Sequence, residues 1–83
     1  MYRVLINNLA QKQLDKLSFS SAKRIINKII GLKEFPRPNS CKKLHNEKGY
    51  RIRIGEYRVL YEVDDSKKEI KVYKIAHRKD VYR

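Results

Sequence analysis

From Tyr50 onward the hydrophobic period of this chain changes from about 3.6 to 2, and that change constrains its fold more than any other feature of the sequence. Before it, apolar residues recur three and four positions apart, the spacing of one helix face. After it they alternate, as in strands with one buried side. Helices followed by strands within 83 residues leave room for one two-layer domain spanning 1–83. Leu, Ile, Val and Phe total 23 residues, enough to form a core although 36% of the chain is charged.

Tyr2 to Ile6 reads as a short strand, with Asn7-Asn8 placed to cap a helix. Ala10, Leu14 and Leu17 then lie at helical spacing. Ser18 to Ser21 turns the chain into a second helix whose apolar face is Ala22, Ile25, Ile26, Ile29 and Leu32. Pro36 is expected to stop that helix near Phe35, with Gly31 weakening its last turn. Residues 36–49, rich in Pro, Asn, Ser and Gly, read as a surface loop. Tyr50 to Ile54, Tyr57 to Val63 and Glu69 to Ala76 complete a meander. The expected class is α+β: a small, mostly antiparallel sheet packed on an N-terminal αα-hairpin, in the order β-α-α-β-β-β.

Gly55-Glu56 between two alternating runs marks a hairpin with a II′ turn, and such a turn fixes the register. Ile54 then faces Tyr57, Arg53 faces Arg58, Ile52 faces Val59 and Arg51 faces Leu60. One side of the hairpin is apolar, formed by Tyr50, Ile52, Ile54, Tyr57, Val59, Tyr61 and Val63, and it can cover the helices. The other gathers Arg51, Arg53 and Arg58. Like charges directly opposed destabilise a sheet, which argues for a bound anion; a merely solvated strand face is the plainer reading. The planar guanidinium fork suits phosphate.

The net charge is +12, a field that attracts polyanions. Nucleic acid, an anionic membrane or an acidic protein are the partners it selects. A membrane role fits least, because neither helix joins a long apolar face to a basic one. Lys42, Lys43 and Lys48 in the 36–49 loop are candidate RNA contacts. The single cysteine, Cys41, excludes an internal disulfide, and with no leader-like or spanning segment a cytoplasmic location is expected. Cys41, His45 and His77 lack metal-ligand spacing, so neither a metal nor an organic cofactor is expected.

Arg78 and Tyr82 lie four apart near the end, on one side of a strand or of a helical turn. Arginine does not deprotonate in proteins, so Tyr82 and His77 are the groups here that can accept a proton. Phosphate clamps with a base suit cleavage of an RNA backbone, in which a 2′-OH attacks its own phosphate.

The run GYRIRIGEYRVLYEV at Gly49 to Val63, followed by HRKDVYR at His77 to Arg83, resembles the RelE toxins of the RelE/ParE superfamily. That resemblance covers the whole chain. It implies a ribosome-dependent endoribonuclease that cuts mRNA in the A site, and a cognate RelB-like antitoxin with an acidic or amphipathic segment. By the same resemblance Arg51, Arg53 and Arg58 hold the phosphate and stabilise the transition state, while Arg78 neutralises or protonates the leaving 5′-oxygen. The best-studied kind of member carries lysines where Arg51 and Arg53 stand and a longer spacing before its terminal tyrosine, so the base stays open between Tyr82 and His77. Two other readings share these features: a ParE-like gyrase-inhibiting toxin, and a non-catalytic RNA-binding module. The latter wants an exposed stacking platform, whereas the aromatic residues of this chain alternate into the core face.

Overall fold

The computed structural model describes residues 1–45 and 48–81. Strand β1 is Arg3–Ile6, helix α1 Asn8–Asp15 and helix α2 Phe19–Gly31. A two-residue strand β2, Lys42–Lys43, precedes β3 (Tyr50–Ile54), β4 (Tyr57–Asp64) and β5 (Glu69–His77), and a short helix α3 covers Arg78–Val81. The strands form one sheet in the order β1-β5-β4-β3-β2. All neighbouring pairs are antiparallel except β1 with β5, where Arg3 aligns with Glu69 and Ile6 with Val72.

Both main helices begin on the caps their sequences supply. The Asn7 side chain accepts the Ala10 N–H at 2.8 Å, and the Ser18 hydroxyl accepts the Ser21 N–H at 3.2 Å. Helix α2 stops at Gly31 instead of running on toward Phe35. There the chain tightens into a turn in which the Glu34 and Phe35 amides both donate to the Gly31 carbonyl. The glycine, whose backbone has most entropy to lose in a helix, thus ends α2 before the proline can. The apolar face of α2 is also narrower than its spacing suggests. Ile25, Ile29 and Leu32 are buried and Ala22 half-buried, but Ile26 and Ile30 face solvent.

The helix-facing side of the sheet supplies Ile52, Ile54, Val59, Tyr61, Ile70, Val72 and Ile75, which pack with Ala10, Leu14, Ile25, Ile29 and Leu32 into one core. Burial of each large aliphatic side chain contributes about 1.5–3 kcal/mol, so the amphipathic pattern decides which side of the sheet the helices cover. The other side of the sheet is open. No helix among the described residues is long and apolar enough to cross a membrane.

The 36–49 segment is not wholly loop. Lys42 pairs with Arg51 and Lys43 with Tyr50, adding β2 as an edge strand. The Tyr61 hydroxyl holds the segment to the sheet by donating to the Pro36 carbonyl at 2.7 Å, and within the segment Cys41 N–H donates to the Pro38 carbonyl at 2.9 Å. Burial pushes the Tyr61 phenol far above the usual tyrosine range, which keeps it a donor.

Candidate active site

The β3–β4 register is the one the turn chemistry predicts. Arg53 faces Arg58, Arg51 faces Leu60 and Ile54 faces Tyr57 across Gly55-Glu56. Gly55 has φ 58°, and Glu56 is not among the described residues with positive φ, as a II′ turn requires of its two central positions. Opposed residues point to the same side, so Arg53 and Arg58 share the open face. Arg51, two residues from Arg53 on one strand, shares it as well. On the far side of Arg58 the β5 neighbour is Ala76, whose methyl group leaves space that a longer side chain would fill.

These residues line a hollow of about 210 Å³ whose walls are Ser40, Lys42, Arg51, Arg53 and Arg58. Arg58 is its floor, only 2% exposed, while Arg53 is exposed and Arg51 half-buried at the rim. Burying a guanidinium carries a desolvation penalty of several kcal/mol, offset only by well-placed hydrogen bonds and opposite charge. With Lys42, Arg51 and Arg53 around Arg58, the species that suits this hollow best is an anion with several acceptor oxygens. Sequence reasoning placed the arginines but missed Ser40, and missed the burial of Arg58, since alternation gives the side a residue points to and not its depth.

Lys42 joins the arginines because β2 sets it opposite Arg51. Lys43 and Lys48 do not. They border a larger, more open hollow of about 520 Å³ with Arg37, Tyr50, Asp64 and Asp65. A latch lies beside it. Arg37 donates to both Asp65 oxygens, at 2.8 and 3.3 Å, and its Nε donates to the Tyr50 hydroxyl at 2.9 Å. Tyr2 adds a hydrogen bond to Asp65 at 2.7 Å. The Arg37 guanidinium, then the Tyr2 hydroxyl, hold the Asp65 carboxyl below the usual carboxylate range. This latch ties the segment bearing Ser40 and Lys42 to the β4–β5 turn.

Arg78 opens α3, and its amide donates to the Glu56 carbonyl at 2.6 Å, which fixes its backbone against the hairpin bend at the Arg53–Arg58 end of the sheet. His77 is not brought to the arginines. It aligns with Tyr57, on the helix-facing side, and packs edge-on against that ring at 5.2 Å between centroids. Its Nδ1 accepts the Lys79 amide at 3.1 Å, and its Nε2 lies 3.3 Å from a Glu56 carboxylate oxygen. Both ring nitrogens are therefore engaged away from the hollow. Tyr82 lies outside the described residues.

Comparison with known proteins agrees with this fold. A chain of the RelBE2 toxin–antitoxin complex from Mycobacterium tuberculosis superposes with a TM-score of 0.83 at 26% identity, over 93% of this chain and 98% of that one. The isolated RelE toxin of E. coli gives 0.82 at 26% identity, over 99% of this chain and 92% of its own. The archaeal RelE–RelB complex from Pyrococcus horikoshii OT3 gives 0.80 at 30%, over 93% and 94%. None of the curated proteins compared by sequence matches. The family model for the ParE toxin of type II toxin–antitoxin systems, parDE, matches residues 4–82. The chain belongs to that family: it is a toxin of a type II toxin–antitoxin system, with the RelE-type fold of the RelE/ParE superfamily.

Proposed function

We propose that this toxin is a ribosome-dependent mRNA endonuclease that cuts in the ribosomal A site. The observation that carries the reading is the convergence of Arg51, Arg53, Arg58 and Lys42 on one hollow of the open face. In the reaction the 2′-oxygen of a nucleotide bonds to the adjacent phosphorus and the bond from phosphorus to the 5′-oxygen breaks. Arg51, Arg53 and Arg58 bind the phosphate and stabilise the charge that builds on its non-bridging oxygens, the term that dominates such catalysis. Arg78, anchored at the hairpin bend, neutralises the departing 5′-oxygen. Tyr82 takes the proton from the 2′-OH, because His77 faces the other side of the sheet and Arg58, like every arginine, stays protonated. Lys42, Lys43 and Lys48 guide the flanking backbone. No step requires a metal.

An antitoxin partner follows from the same reading. Several of the RelE chains it resembles come from complexes with RelB antitoxins, and a charge of +12 favours an acidic or amphipathic segment laid over the open face. The test is to incubate the purified chain with translating ribosomes and map the 5′ ends of the message, with free mRNA as control. Cleavage confined to the ribosomal reaction is expected; equal cutting of free RNA refutes ribosome dependence. The match to the ParE family favours a second reading, inhibition of gyrase by protein binding. A chain that leaves ribosome-bound message intact and stalls gyrase would establish it.

A further inference from the structure

The expectation that the aromatic side chains alternate into the core fails, among those on the β3–β5 meander, at Tyr73. On β5 the core positions are Ile70, Val72 and Ile75, so a step of three follows a step of two. The pairing shows why. Leu60 aligns with Lys74 and Tyr61 with Val72, leaving Tyr73 as the extra residue of a β-bulge. A bulge of this kind re-aims a side chain, and here it sends both Tyr73 and Lys74 to the open face. Helix α1 holds it in place, since Gln13 Oε1 accepts the Ile75 amide at 2.6 Å.

The Tyr73 hydroxyl reaches the Lys48 carbonyl at 3.4 Å, just ahead of β3. Strand β4 lies between β5 and β3, so the ring must cross over β4 to make that contact. Beside it is a hollow of about 210 Å³ bordered by Ile6, Asn7 and Val72, to which Leu5, Tyr73, Glu62 and Lys71 bring the side chains of the open face. Flat apolar surface with a few polar groups at its edge is what a nucleobase needs. The ring falls between the row that contains Arg51, Leu60 and Lys74 and the row that contains Glu62 and Lys71. Successive rows on one face are about 7 Å apart, so the arginines begin within a nucleotide's reach of Tyr73.

We propose that Tyr73 is a base-stacking platform that receives a nucleobase of the single-stranded RNA whose phosphate the arginines clamp. The inference rests on the nuclease reading for the clamp and extends it by a subsite that selects nucleic acid over other polyanions. Lys71 and Lys74, exposed on either side of the ring, pair with the backbone of the same strand.

The test uses binding, not cleavage, with a short oligoribonucleotide made uncleavable by 2′-O-methylation and a fully abasic strand of equal length. Tyr73→Leu is expected to weaken binding of the base-bearing strand about 10-fold, while Tyr73→Phe stays within about 2-fold and neither affects the abasic strand. The chain has no tryptophan, so Tyr73→Trp installs a sole indole, and its fluorescence should be quenched by the base-bearing strand alone. Equal losses on both strands, wild-type binding by Tyr73→Leu, or an indole blind to bases would each overturn the proposal. Arg51→Ala with Arg53→Ala separates the two layers. Binding lost there but untouched in Tyr73→Leu removes only the stacking subsite, whereas binding untouched in both removes the RNA reading as well.

Discussion

Replacing Arg53 by Gln should make the folded protein more stable and the site worse, and the two effects have one origin. Arg53 and Arg58 are directly opposed across the hairpin, and Arg58 is 2% exposed. Opposed like charges cost about 0.2–1 kcal/mol, and the burial of one partner limits screening, so the upper end applies. In a domain of this size 1 kcal/mol corresponds to about 4–8 °C in Tm. Arg53→Gln is therefore expected to melt about 4–8 °C higher than wild type at low salt without multivalent anions. At about 1 M salt the Debye length contracts to about 3 Å, and the gain should shrink without vanishing, because only the exposed partner is fully screened. Added phosphate or oligonucleotide should narrow or invert it, because only the intact clamp gains binding free energy. Thermal melts followed by circular dichroism at both salt concentrations, with and without phosphate, measure each of these. A variant less stable at low salt, or a gain that neither salt nor phosphate alters, would refute the idea that the sheet stores repulsion for an anion to relieve.

Three further outcomes are expected. Gly49 has φ 107°, and a Cβ there would lie 2.4 Å from the Tyr61 carbonyl oxygen, so Gly49→Ala should cost about 1–3 kcal/mol, measured by urea titration. Gln13→Leu removes the acceptor of the Ile75 amide at the bulge and should lower stability by about 1–3 kcal/mol without changing the denaturant slope; a neutral result would mean another group takes that hydrogen. The Asp65 carboxyl is held below its ordinary value by Arg37, so between its native pKa and about 3.9 the unfolded chain binds more protons and stability rises with pH. The stability difference between wild type and Asp65→Asn should be complete above about pH 5 and vanish as pH falls through the native pKa; a difference constant from pH 2 to 6 would exclude the latch as its source.

The parts of the fold legible in the sequence are those set by local chemistry. Asn7 and Ser18 cap the helices they precede, and Gly55-Glu56 sets the register that brings Arg53 against Arg58. What was hidden depends on distant partners. Strand β2 is two lysines in a polar loop, and only Arg51 and Tyr50 make them a strand. Arg37 and Asp65, far apart in sequence, meet because the β4–β5 turn folds back over the 36–41 segment. His77 continues the strand at a parity that carries it to the helices, a consequence of the bulge upstream. The bulge itself had left a trace, the three-residue step from Val72 to Ile75, which a strict alternation count passes over.

The parallel pairing of β1 with β5 sets the order in which the protein can be assembled. Arg3 meets Glu69 across 66 residues, by far the longest loop the sheet has to close, while the β3–β4 hairpin closes over two. During synthesis β1 emerges first and waits without a neighbour until nearly all of the domain has left the ribosome. The hairpin bearing Arg53 and Arg58 can form early, but Ala76, which borders Arg58, and Arg78 arrive with the final strand. The wall that Ala76 gives the arginine hollow, and the anchoring of Arg78 at the hairpin bend, are thus complete only once the last strand of the sheet has been made.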